Sequence, residues 1–362
     1  MKETVVVGMS GGVDSSVAAY LLKEQGYNVI GVTMQIWQDE DVCTLEHEGG
    51  CCGLSAVDDA RRVADVLEIP YYVMNFKQEF QASVIDYFVR EYQAGRTPNP
   101  CIACNRYVKW ESLLQRSMEI GADYIATGHY ARIRQLPNGR YAIANSVTAR
   151  KDQTYALYNL TQEQLRRTLM PVGEYEKERV RQIAEEVGLP VAHKPDSMEI
   201  CFVPDGDYAS YIEQATGKPS VPGNFVDVDG HILGQHKGII HYTVGQRKGL
   251  GLALGYPAFV VQIRPETNEV VIGSLEHNLS HHVYAREMNF MGEEMFDENA
   301  VYQGKIRYNH AGAACHIVRR ADDLYECIFE EPQRGVTPGQ ALVLYRNGIV
   351  AGGGTICRPE TE

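Results

Sequence analysis

Residues 4–16, TVVVGMSGGVDSS, constrain the fold more than any other part of the chain. The β-branched run at residues 4–8 is typical of a buried strand, and the apolar residues of 13–26 recur at helical spacing. The intervening glycines permit positive φ angles and close backbone approach. The sequence therefore predicts a strand, a loop and a helix whose N-terminus can bind an anion.

The chemistry of this loop suits a phosphate group. Ser10 and Ser15 add hydroxyl donors to the backbone amides. The alternative is a plain strand-to-helix turn with a capping serine, which SGG followed at once by DSS disfavours. The loop lacks the GK[ST] ending of a Walker A site and the G-x-G-x-x-G of dinucleotide sites. SGGVDSS instead resembles the loop of the PP-loop ATPase superfamily, which implies ATP binding and transfer of an adenylyl group.

The first 200 residues alternate between strand and helix patterns. Strand patterns at residues 27–34, 71–76 and 122–131 are separated by helical ones such as 55–70. Such alternation predicts an α/β fold with a doubly wound parallel sheet. From about residue 205 the chain changes to short alternating segments rich in glycine, which predicts β-rich modules. We therefore expect three domains, at residues 1–205, 206–278 and 279–362.

The formal net charge of −13 is spread along the chain. Residues 1–205 carry 21 basic and 28 acidic side chains, and residues 206–362 carry 13 and 19. A protein that binds nucleic acid through bulk charge is expected to have a basic domain. Any RNA contact must therefore depend on local basic residues and on shape.

Neither a membrane span nor a secretion signal is apparent in the sequence. No apolar run approaches the roughly 20 residues that cross a bilayer, and residues 1–12 lack the pattern of a signal peptide. We therefore expect a cytoplasmic location and no membrane partner. In that compartment the nine cysteines are expected to be thiols, metal ligands or catalytic groups instead of structural disulfides.

Three of the cysteines have contexts that suggest chemistry. Cys101 and Cys104 form the pair CIAC before a helical pattern, and Cys201 follows in EICF. Such a pair can be redox-active, bind zinc or carry an iron–sulfur cluster. A helix N-terminus near Arg106 and Lys109 favours the reactive thiolate. The remaining cysteines, at positions 43, 51, 52, 315, 327 and 357, make no second pair that would complete a zinc knuckle. We expect Cys51 and Cys52 at a helix start, and Cys315, Cys327 and Cys357 in the core.

Seven motifs in chain order resemble those of the tRNA-specific 2-thiouridylase family, known as MnmA or TrmU. They are SGGVDSS, NPCIACN, ATGHYAR, KDQTYAL, EICF, YTVGQRKGLG and IRYNH. The resemblance implies a tRNA-uridine 2-sulfurtransferase that uses ATP to thiolate the wobble uridine of tRNA and releases AMP and pyrophosphate. It implies a PP-loop domain, a small central domain and a C-terminal β-barrel that contacts tRNA.

The same resemblance implies roles for individual residues. Cys104 is expected to be the catalytic nucleophile and Cys201 to carry a persulfide. ATP contacts are implied at Gly8, Met9, Ser10, Gly11, Gly12, Val13, Asp14, Ser15, Met34 and Gly128. The target base is implied at Asn99, Pro100 and Cys101, and tRNA contacts at His129, Lys151, Asp152, Gln153, Arg307, Tyr308 and Gln340.

Two further expectations concern metal and sulfur. Asp14 is placed to help hold Mg²⁺, which prefers carboxylate oxygens, so we expect Asp14→Asn to lower adenylation with little loss of fold. Many family members have aspartate where this chain has Cys101. Cys101, Cys104 and Cys201 together could ligate a 4Fe-4S cluster that binds the incoming sulfide, which leaves open whether a persulfide or a cluster delivers sulfur. A sulfur-donor protein, such as a cysteine desulfurase or a sulfur relay protein, is the expected partner beside tRNA.

Two other functions remain as alternatives. A PP-loop synthetase that adenylates a small molecule would have the same loop, but it has no need of three cysteines. A nucleotide sensor or an RNA-binding module without chemistry would release no pyrophosphate when tRNA is added.

Overall fold

The computed structural model describes residues 2–36, 54–196 and 200–359. The chain divides into two compact units. The first comprises Met1–Val84, Cys101–Gly206 and Gly348–Val350, and the second comprises Ile85–Pro100, Asp207–Asn347 and Ala351–Glu362. The boundary predicted near residue 278 falls inside the second unit, and the three-domain division stays a prediction.

The first unit is built on a five-stranded parallel sheet. Its strands are β1 (Thr4–Gly8), β2 (Asn28–Gln35), β3 (Tyr71–Asn75), β4 (Tyr124–Ala126) and β7 (Thr168–Leu169), in the order β3-β2-β1-β4-β7. Val5, Val6 and Val7 of the central strand are fully buried, as expected of a parallel strand covered on both faces. The predicted α/β class and parallel sheet are confirmed.

Helices and an antiparallel hairpin complete the first unit. The longer helices are α1 (Val13–Glu24), α2 (Leu54–Val66) and α8 (Lys177–Glu186), and α1 packs against α8. The hairpin pairs β5 (Ala131–Gln135) with β6 (Tyr141–Asn145). Shorter helical elements are α3 (Lys77–Phe80), α5 (Pro100–Ala103), α6 (Leu114–Glu119), α7 (Gln162–Arg166), a π-helical stretch at Cys104–Leu113, and 3₁₀ turns at Ala149–Lys151, Thr154–Leu157 and Pro171–Glu174.

The strand predicted at residues 122–131 is wrong in its extent. The structure ends β4 at Ala126 and begins the hairpin strand β5 at Ala131. The residues between them leave the sheet because Gly128 lies directly against the first turn of α1. The apolar pattern is therefore shared by two strands with different partners.

The second unit contains a four-stranded sheet with two helices. The strands are β8 (Gly223–Val226), β9 (Ile232–His236), β10 (Phe259–Arg264) and β11 (Glu269–Gly273), in the order β10-β11-β8-β9. A core that includes Phe225, Val260 and Ile272 packs on this sheet. The helices are α4 (Asp86–Gln93) and α9 (Tyr208–Thr216), which meet through Phe88 and Tyr208 at a ring-centroid distance of 5.9 Å. A π-helical stretch at Gln81–Ile85 precedes α4, and 3₁₀ turns cover Ile239–His241 and Glu276–Asn278.

The second unit also contains a closed barrel of six strands. They are β12 (Leu279–Phe290), β13 (Tyr302–Lys305), β14 (Ala313–Ala321), β15 (Leu324–Arg334), β16 (Ala341–Arg346) and β17 (Ile349–Cys357). The order is β12-β15-β14-β13-β16-β17, and pairing of β12 with β17 closes the circle. Closure leaves no open sheet edge, and the predicted C-terminal barrel is confirmed.

Candidate functional site

The predicted phosphate loop lies at the carboxyl end of β1. The strand order reverses at β1, which has β2 on one side and β4 on the other. In open parallel sheets ligands bind at the carboxyl ends of the strands where the order reverses. Gly8 ends β1, Met34 lies one residue before the end of β2, and Gly128 follows β4. The fold therefore brings the predicted ATP residues to one edge of the sheet.

The backbone of the loop depends on a glycine at position 11. Gly11 has a φ of +68°, and a Cβ atom placed there would lie 2.4 Å from the carbonyl oxygen of Ala56. Gly12 precedes the helix and provides no side-chain cap, so the N-terminus of α1 is left for an external acceptor. The Ser10 amide donates to Ser15 Oγ at 3.2 Å, and both Ser15 and Ser16 hydroxyls donate to the Gly12 carbonyl.

Glycine is also required at position 128, where the backbone lies directly against Asp14 and Ser15. A Cβ atom at this position would lie 2.5 Å from the Ser15 amide nitrogen and 2.7 Å from the carbonyl carbon of Asp14. No side chain can shift to relieve such a clash, because both atoms belong to the backbone. Gly128 therefore positions the end of β4 against the loop that begins α1.

Asp14 is held by two side chains at the start of α1. Both of its carboxylate oxygens accept from Lys177 Nζ, at 2.7 and 2.9 Å, and Oδ1 also accepts from the Tyr130 hydroxyl at 2.6 Å. Lys177 is only 7% exposed. Burial, with the Asp14 charge beside it, raises the pKa of Tyr130, so the phenol remains a donor. A metal ion at Asp14 would have to compete with the Lys177 ammonium.

Asp196 extends this cluster toward Cys201. It forms ion pairs with Lys177 at 2.8 Å, Arg181 at 2.8 Å and Lys151 at 2.7 Å. Burial by itself raises the pKa of Asp196, but hydrogen bonds from Lys151 and Lys177 outweigh it and lower the pKa to about 2. With Asp14 the cluster has three cations and two carboxylates, an excess of positive charge that suits phosphate.

A second contact joins the same segment to the loop. Lys194 Nζ donates to the carbonyl oxygen of Gly11 at 3.1 Å and pairs with Asp59 at 2.8 Å. Lys194 and Asp196 therefore fasten the chain shortly before Cys201 to the phosphate loop. The residues 197–199 that follow lie outside the described part of the chain.

The predicted cysteines, Cys101, Cys104 and Cys201, all lie in the first unit. Cys101 is exposed, whereas Cys104 and Cys201 are partly buried. Cys101 lies in α5, and Cys104 begins the π-helical stretch, which packs against α3. Phe202, the neighbour of Cys201, packs on Phe80 of α3 at a ring-centroid distance of 5.9 Å. The segments that carry Cys104 and Cys201 therefore pack against the same short helix.

The three sulfur atoms do not form a compact ligand set in this conformation. Among the described residues, three metal-binding side chains within 4.8 Å of one another occur only at Asp227, Asp229 and His231. Tetrahedral zinc would bring thiolates closer together than this limit. The helix start predicted for Cys51 and Cys52 lies outside the described residues. Cys315 and Cys327 are fully buried in the barrel, and Cys357 is partly buried in β17.

Comparison with known proteins places this geometry in a family. Three family profiles match in chain order: "tRNA methyl transferase HUP domain" over residues 3–205, "tRNA methyl transferase PRC-barrel domain" over 210–274 and "Aminomethyltransferase beta-barrel domain" over 280–356. The chain is 71% identical to the tRNA-specific 2-thiouridylase MnmA of Lachnoclostridium phytofermentans, over 98% of this chain and 99% of that protein.

The chain belongs to the tRNA-specific 2-thiouridylase family.

Other members of the 2-thiouridylase family match over the same length. The MnmA protein of Clostridioides difficile is 54% identical, with 98% of both chains covered. That of Acetivibrio thermocellus is 58% identical, over 98% of this chain and 99% of the other. The resemblance expressed by the seven short motifs is therefore confirmed across the whole sequence.

Four residues of this 2-thiouridylase that are predicted to contact tRNA lie in the first unit. His129 is paired with Thr127 Oγ1 at 2.7 Å, and its ring lies 5.5 Å from that of Trp110. Burial, followed by the charge of Lys109, lowers the pKa of His129 well below its ordinary value. His129 is therefore neutral near pH 7 and cannot bind a phosphate as a cation.

The next three candidates make contacts within the protein. Lys151 is the partner of Asp196 described above. The Asp152 carboxylate accepts from the amides of Ser146, at 2.8 Å, and Thr154, at 3.1 Å. Gln153 Oε1 accepts from the Tyr130 amide at 2.8 Å. These contacts fix the backbone around Tyr130, whose hydroxyl binds Asp14.

The remaining candidates lie in the second unit. Gln340 Nε2 donates to the Thr97 carbonyl at 2.8 Å, and the Thr97 amide donates to the Pro338 carbonyl at 2.8 Å. Gln340 therefore holds the segment just before Asn99 and Pro100. Arg307 and Tyr308 are exposed beside β13, where Arg307 Nη1 donates to the Arg334 carbonyl at 2.9 Å.

The sequence did not point to Lys177, Asp196 or Lys194. Lys177 is the first residue of α8 and lies 163 residues from Asp14 in sequence, so no local spacing links them. The one available signal is the run HKPDS, two charged residues shortly before Cys201. Charged residues are common on protein surfaces, so these two charges alone do not predict a contact with the phosphate loop.

Proposed function

We propose that this chain is an ATP-dependent tRNA sulfurtransferase that converts the wobble uridine of tRNA to 2-thiouridine. The observation that carries the proposal is the 71% identity to a tRNA-specific 2-thiouridylase over 98% of the chain. The match extends over the parts of the chain that carry the phosphate loop and the barrel. The geometry of the first unit supplies a physical basis for the nucleotide chemistry.

ATP is proposed to bind with its phosphates at the loop between β1 and α1. The helix N-terminus and the glycine amides offer donors to phosphate oxygens. The cluster around Lys177 supplies the excess positive charge beside them. Met34 and Gly128, near the carboxyl ends of the two strands that flank β1, are proposed to border the rest of the nucleotide.

Mg²⁺ is proposed to accompany the ATP phosphates, where it would neutralise developing charge on the leaving pyrophosphate. Asp14 is the proposed carboxylate ligand of this ion, because it lies within the phosphate-loop motif SGGVDSS. Its oxygens bind Lys177 in this structure, so the proposal requires the ion to displace or share that contact. One carboxylate together with phosphate oxygens is an ordinary environment for Mg²⁺.

The reaction is proposed to begin at the oxygen of the uridine C2 carbonyl. That oxygen attacks the α-phosphorus of ATP, pyrophosphate leaves, and N3 gives up its proton. The terminal sulfur of a Cys201 persulfide then attacks C2, and AMP leaves with the original oxygen. Adenylation is needed because the unmodified oxygen is a poor leaving group.

Cys104 is proposed to complete the transfer. Its thiolate attacks the Cys201 sulfur, a Cys104–Cys201 disulfide forms, and 2-thiouridine leaves and regains its N3 proton. An external thiol reduces the disulfide, and a sulfur-donor protein restores the persulfide. Packing of both cysteine segments on α3 supports this pairing.

A 4Fe-4S cluster at Cys101, Cys104 and Cys201 is the second proposed route for sulfur. Three cysteines in one unit match the donor type that such clusters need. The cluster would supply an open iron that binds sulfide. A colourless, iron-free and fully active enzyme after anaerobic purification would exclude this route.

RNA recognition is proposed to use residues of both units. Cys101, His129, Lys151, Asp152 and Gln153 act in the first, whereas Asn99, Pro100, Arg307, Tyr308 and Gln340 act in the second. The uridine must leave the anticodon stack to react, as other base-modifying enzymes require. We also propose the division into three domains at 205 and 278 and a cytoplasmic location, where tRNA is available.

No helix among the described residues is both long and apolar enough to cross a membrane.

The test measures two products of one reaction. Purified protein is incubated with a tRNA transcript, ATP, Mg²⁺, a reducing thiol and a cysteine desulfurase with cysteine, which donates persulfide sulfur. A parallel reaction receives sulfide in place of that donor, and pyrophosphate and 2-thiouridine are quantified in both. We expect both products from the native chain, and we expect Cys104→Ser and Cys201→Ser to release pyrophosphate without forming 2-thiouridine. Absence of tRNA-dependent pyrophosphate release by the native chain would refute the proposal.

A further inference from the structure

One stretch of this acidic protein contains only basic charges. Residues 231–265 include Lys237, Arg247, Lys248 and Arg264 but no aspartate or glutamate. The chain as a whole has a net charge of −13. A polyanion would therefore meet no repulsion from an acidic side chain of this stretch itself.

Arg247 and Lys248 lie in a glycine-rich loop, which we define as residues 243–258. Gln246 fixes the start of this loop: its side chain accepts from the Thr243 amide at 3.0 Å and donates to the Lys248 carbonyl at 3.0 Å. Gly245 and Gly249 have φ angles of +90° and +76°, which favour glycine. The loop conformation is thus specified by its own sequence.

The glycine-rich loop presents unused hydrogen-bond donors. Arg247 and Lys248 are exposed, and their side chains make no ion pair or hydrogen bond with any described residue. Within the same described residues, the backbone amides of Arg247, Lys248 and Gly249 also donate to no acceptor. Two cations and three successive amides are therefore available to one external anion.

Arg247 and Gly249 border an open cavity. The loop from Arg247 to Ala258 surrounds a volume of 490 Å³. Arg334 stacks over Phe259, the residue after Ala258, with its guanidinium carbon 4.6 Å from the ring centroid. A Cβ atom on Gly245 would lie 3.2 Å from the Cα of Gly335, so Arg334 lies close to both ends of the loop.

The same arginine connects the loop to a predicted tRNA contact. The Arg334 carbonyl accepts from Arg307 Nη1 at 2.9 Å. Arg307 therefore lies against the backbone of Arg334, and the next residue, Gly335, meets Gly245 at the start of the loop. Two adjacent exposed cations with three backbone amides that have no acceptor, near a further predicted tRNA contact, match the sugar-phosphate backbone of RNA better than a single small anion.

We propose that the glycine-rich loop binds the phosphate backbone of tRNA through Arg247, Lys248 and the amides of residues 247–249. This inference rests on the proposed function, which supplies tRNA as the polyanion. The loop positions the RNA and reads no base, because phosphate contacts carry no sequence information.

The test compares the salt dependence of tRNA binding among full-length variants. Fluorescence anisotropy with a labelled tRNA transcript is recorded between about 50 and 200 mM salt. In Arg247→Ala/Lys248→Ala we expect the slope of log K against log salt to fall by about 2, because two phosphate contacts are lost. The swap Arg247→Lys/Lys248→Arg keeps both charges and should retain the native slope.

A matched control removes the same charges elsewhere. Arg62 and Lys218 are exposed and have no side-chain partner among the described residues, so Arg62→Ala/Lys218→Ala should bind tRNA with the native slope. An unchanged slope in the loop variant, or an equal fall in the control, would overturn the inference. A native slope combined with a raised KM for ATP would also overturn it, since the loop would then bind free nucleotide.

Failure of the proposed function has a separate signature. If the native chain did not bind tRNA at any salt concentration, the proposed function itself would fail. Thermal unfolding of each variant is measured in parallel. A loop variant that loses affinity at unchanged melting temperature and regains it with the charge-keeping swap supports phosphate binding.

Discussion

Asp196 links three cations that come from different parts of the first unit. Lys151 lies in a 3₁₀ turn, Lys177 and Arg181 lie on α8, and all three contact the same carboxylate. Replacing the Asp196 carboxylate with the amide of asparagine keeps the shape of the side chain but removes its ion pair with buried Lys177. The contribution of Asp196 to the free energy of unfolding can therefore be measured by protonating its carboxylate at low pH.

Substitution Asp196→Asn is expected to destabilise the protein in a pH-dependent way. The pKa of Asp196 in the folded protein is about 2, below the ordinary value of about 3.9. Its ionised form therefore contributes stability above about pH 4, and this contribution is lost as the pH falls toward 2. Because the carboxylate is partly open to water, we expect a cost of about 1–2 kcal/mol at pH 7.

Urea unfolding at several pH values measures this cost. The difference in unfolding free energy between native protein and Asp196→Asn should narrow below pH 4. The control Asp58→Asn removes an exposed carboxylate with a single i,i+3 partner and should change stability by less than about 0.5 kcal/mol. A difference that stays constant from pH 7 to pH 3 would contradict the assigned role.

At the scale of elements, the contact between the end of β4 and the start of α1 shapes the phosphate loop. Two backbones approach there closely enough to exclude any side chain at position 128. The motif ATGHYAR predicted a glycine near ATP, but the sequence alone could not show which backbone it meets. A parallel sheet decides this, because it brings the carboxyl ends of β1 and β4 together.

Substitution Gly128→Ala is expected to disrupt this contact. Forcing a methyl group into the space costs about 1–3 kcal/mol of stability. Displacement of the Ser15 amide should also weaken ATP binding roughly 10-fold, equivalent to about 1.4 kcal/mol. Calorimetric titration with a non-hydrolysable ATP analogue measures the affinity, and thermal unfolding measures the stability.

Gly139→Ala provides the control for that experiment. Gly139 lies in the β5–β6 turn with a φ of +82° and no atom within 4 Å of an added Cβ. Its substitution strains the β5–β6 turn but leaves the phosphate loop between β1 and α1 intact. The variant should therefore bind ATP as tightly as the native protein. Native ATP affinity in Gly128→Ala would show that the close approach does not shape the nucleotide site.

At the scale of the whole molecule, the described cysteines differ in their access to solvent. Cys101, Cys104, Cys201 and Cys357 are at least partly accessible, whereas Cys315 and Cys327 are fully buried in the barrel. Burial, with Cys315 beside it, raises the pKa of Cys327 well above its ordinary value. The thiols of Cys315 and Cys327 should therefore be inert in the folded chain.

Alkylation of the native protein tests this division. With iodoacetamide at pH 7.5, we expect Cys101 to be modified at least about 10-fold faster than Cys315 or Cys327, since only accessible thiolates react. Peptide mass spectrometry after timed quenching gives the rates, and the same experiment in 8 M urea should equalise them. Equal rates without urea would contradict the closed, tightly packed barrel.

The order of strands and helices was predictable because it depends on local patterns. β-branched runs, helical spacing and glycine positions are patterns of only a few residues. They predicted the loop at residues 8–15 and the change near residue 205 from alternating strands and helices to short β-rich segments. The same patterns placed a strand across residues 122–131, where local apolarity could not reveal the change from β4 to β5.

By itself the sequence determined the phosphate loop, the α/β class and the family, because each depends on short sequence motifs or on the order in which these motifs occur. Only the tertiary structure decided that Lys177 binds Asp14, that Asp196 joins the Cys201 segment to this pair, and that Gly245 meets Gly335. Those contacts depend on how strands and helices pack, and packing joins residues that no local interaction connects.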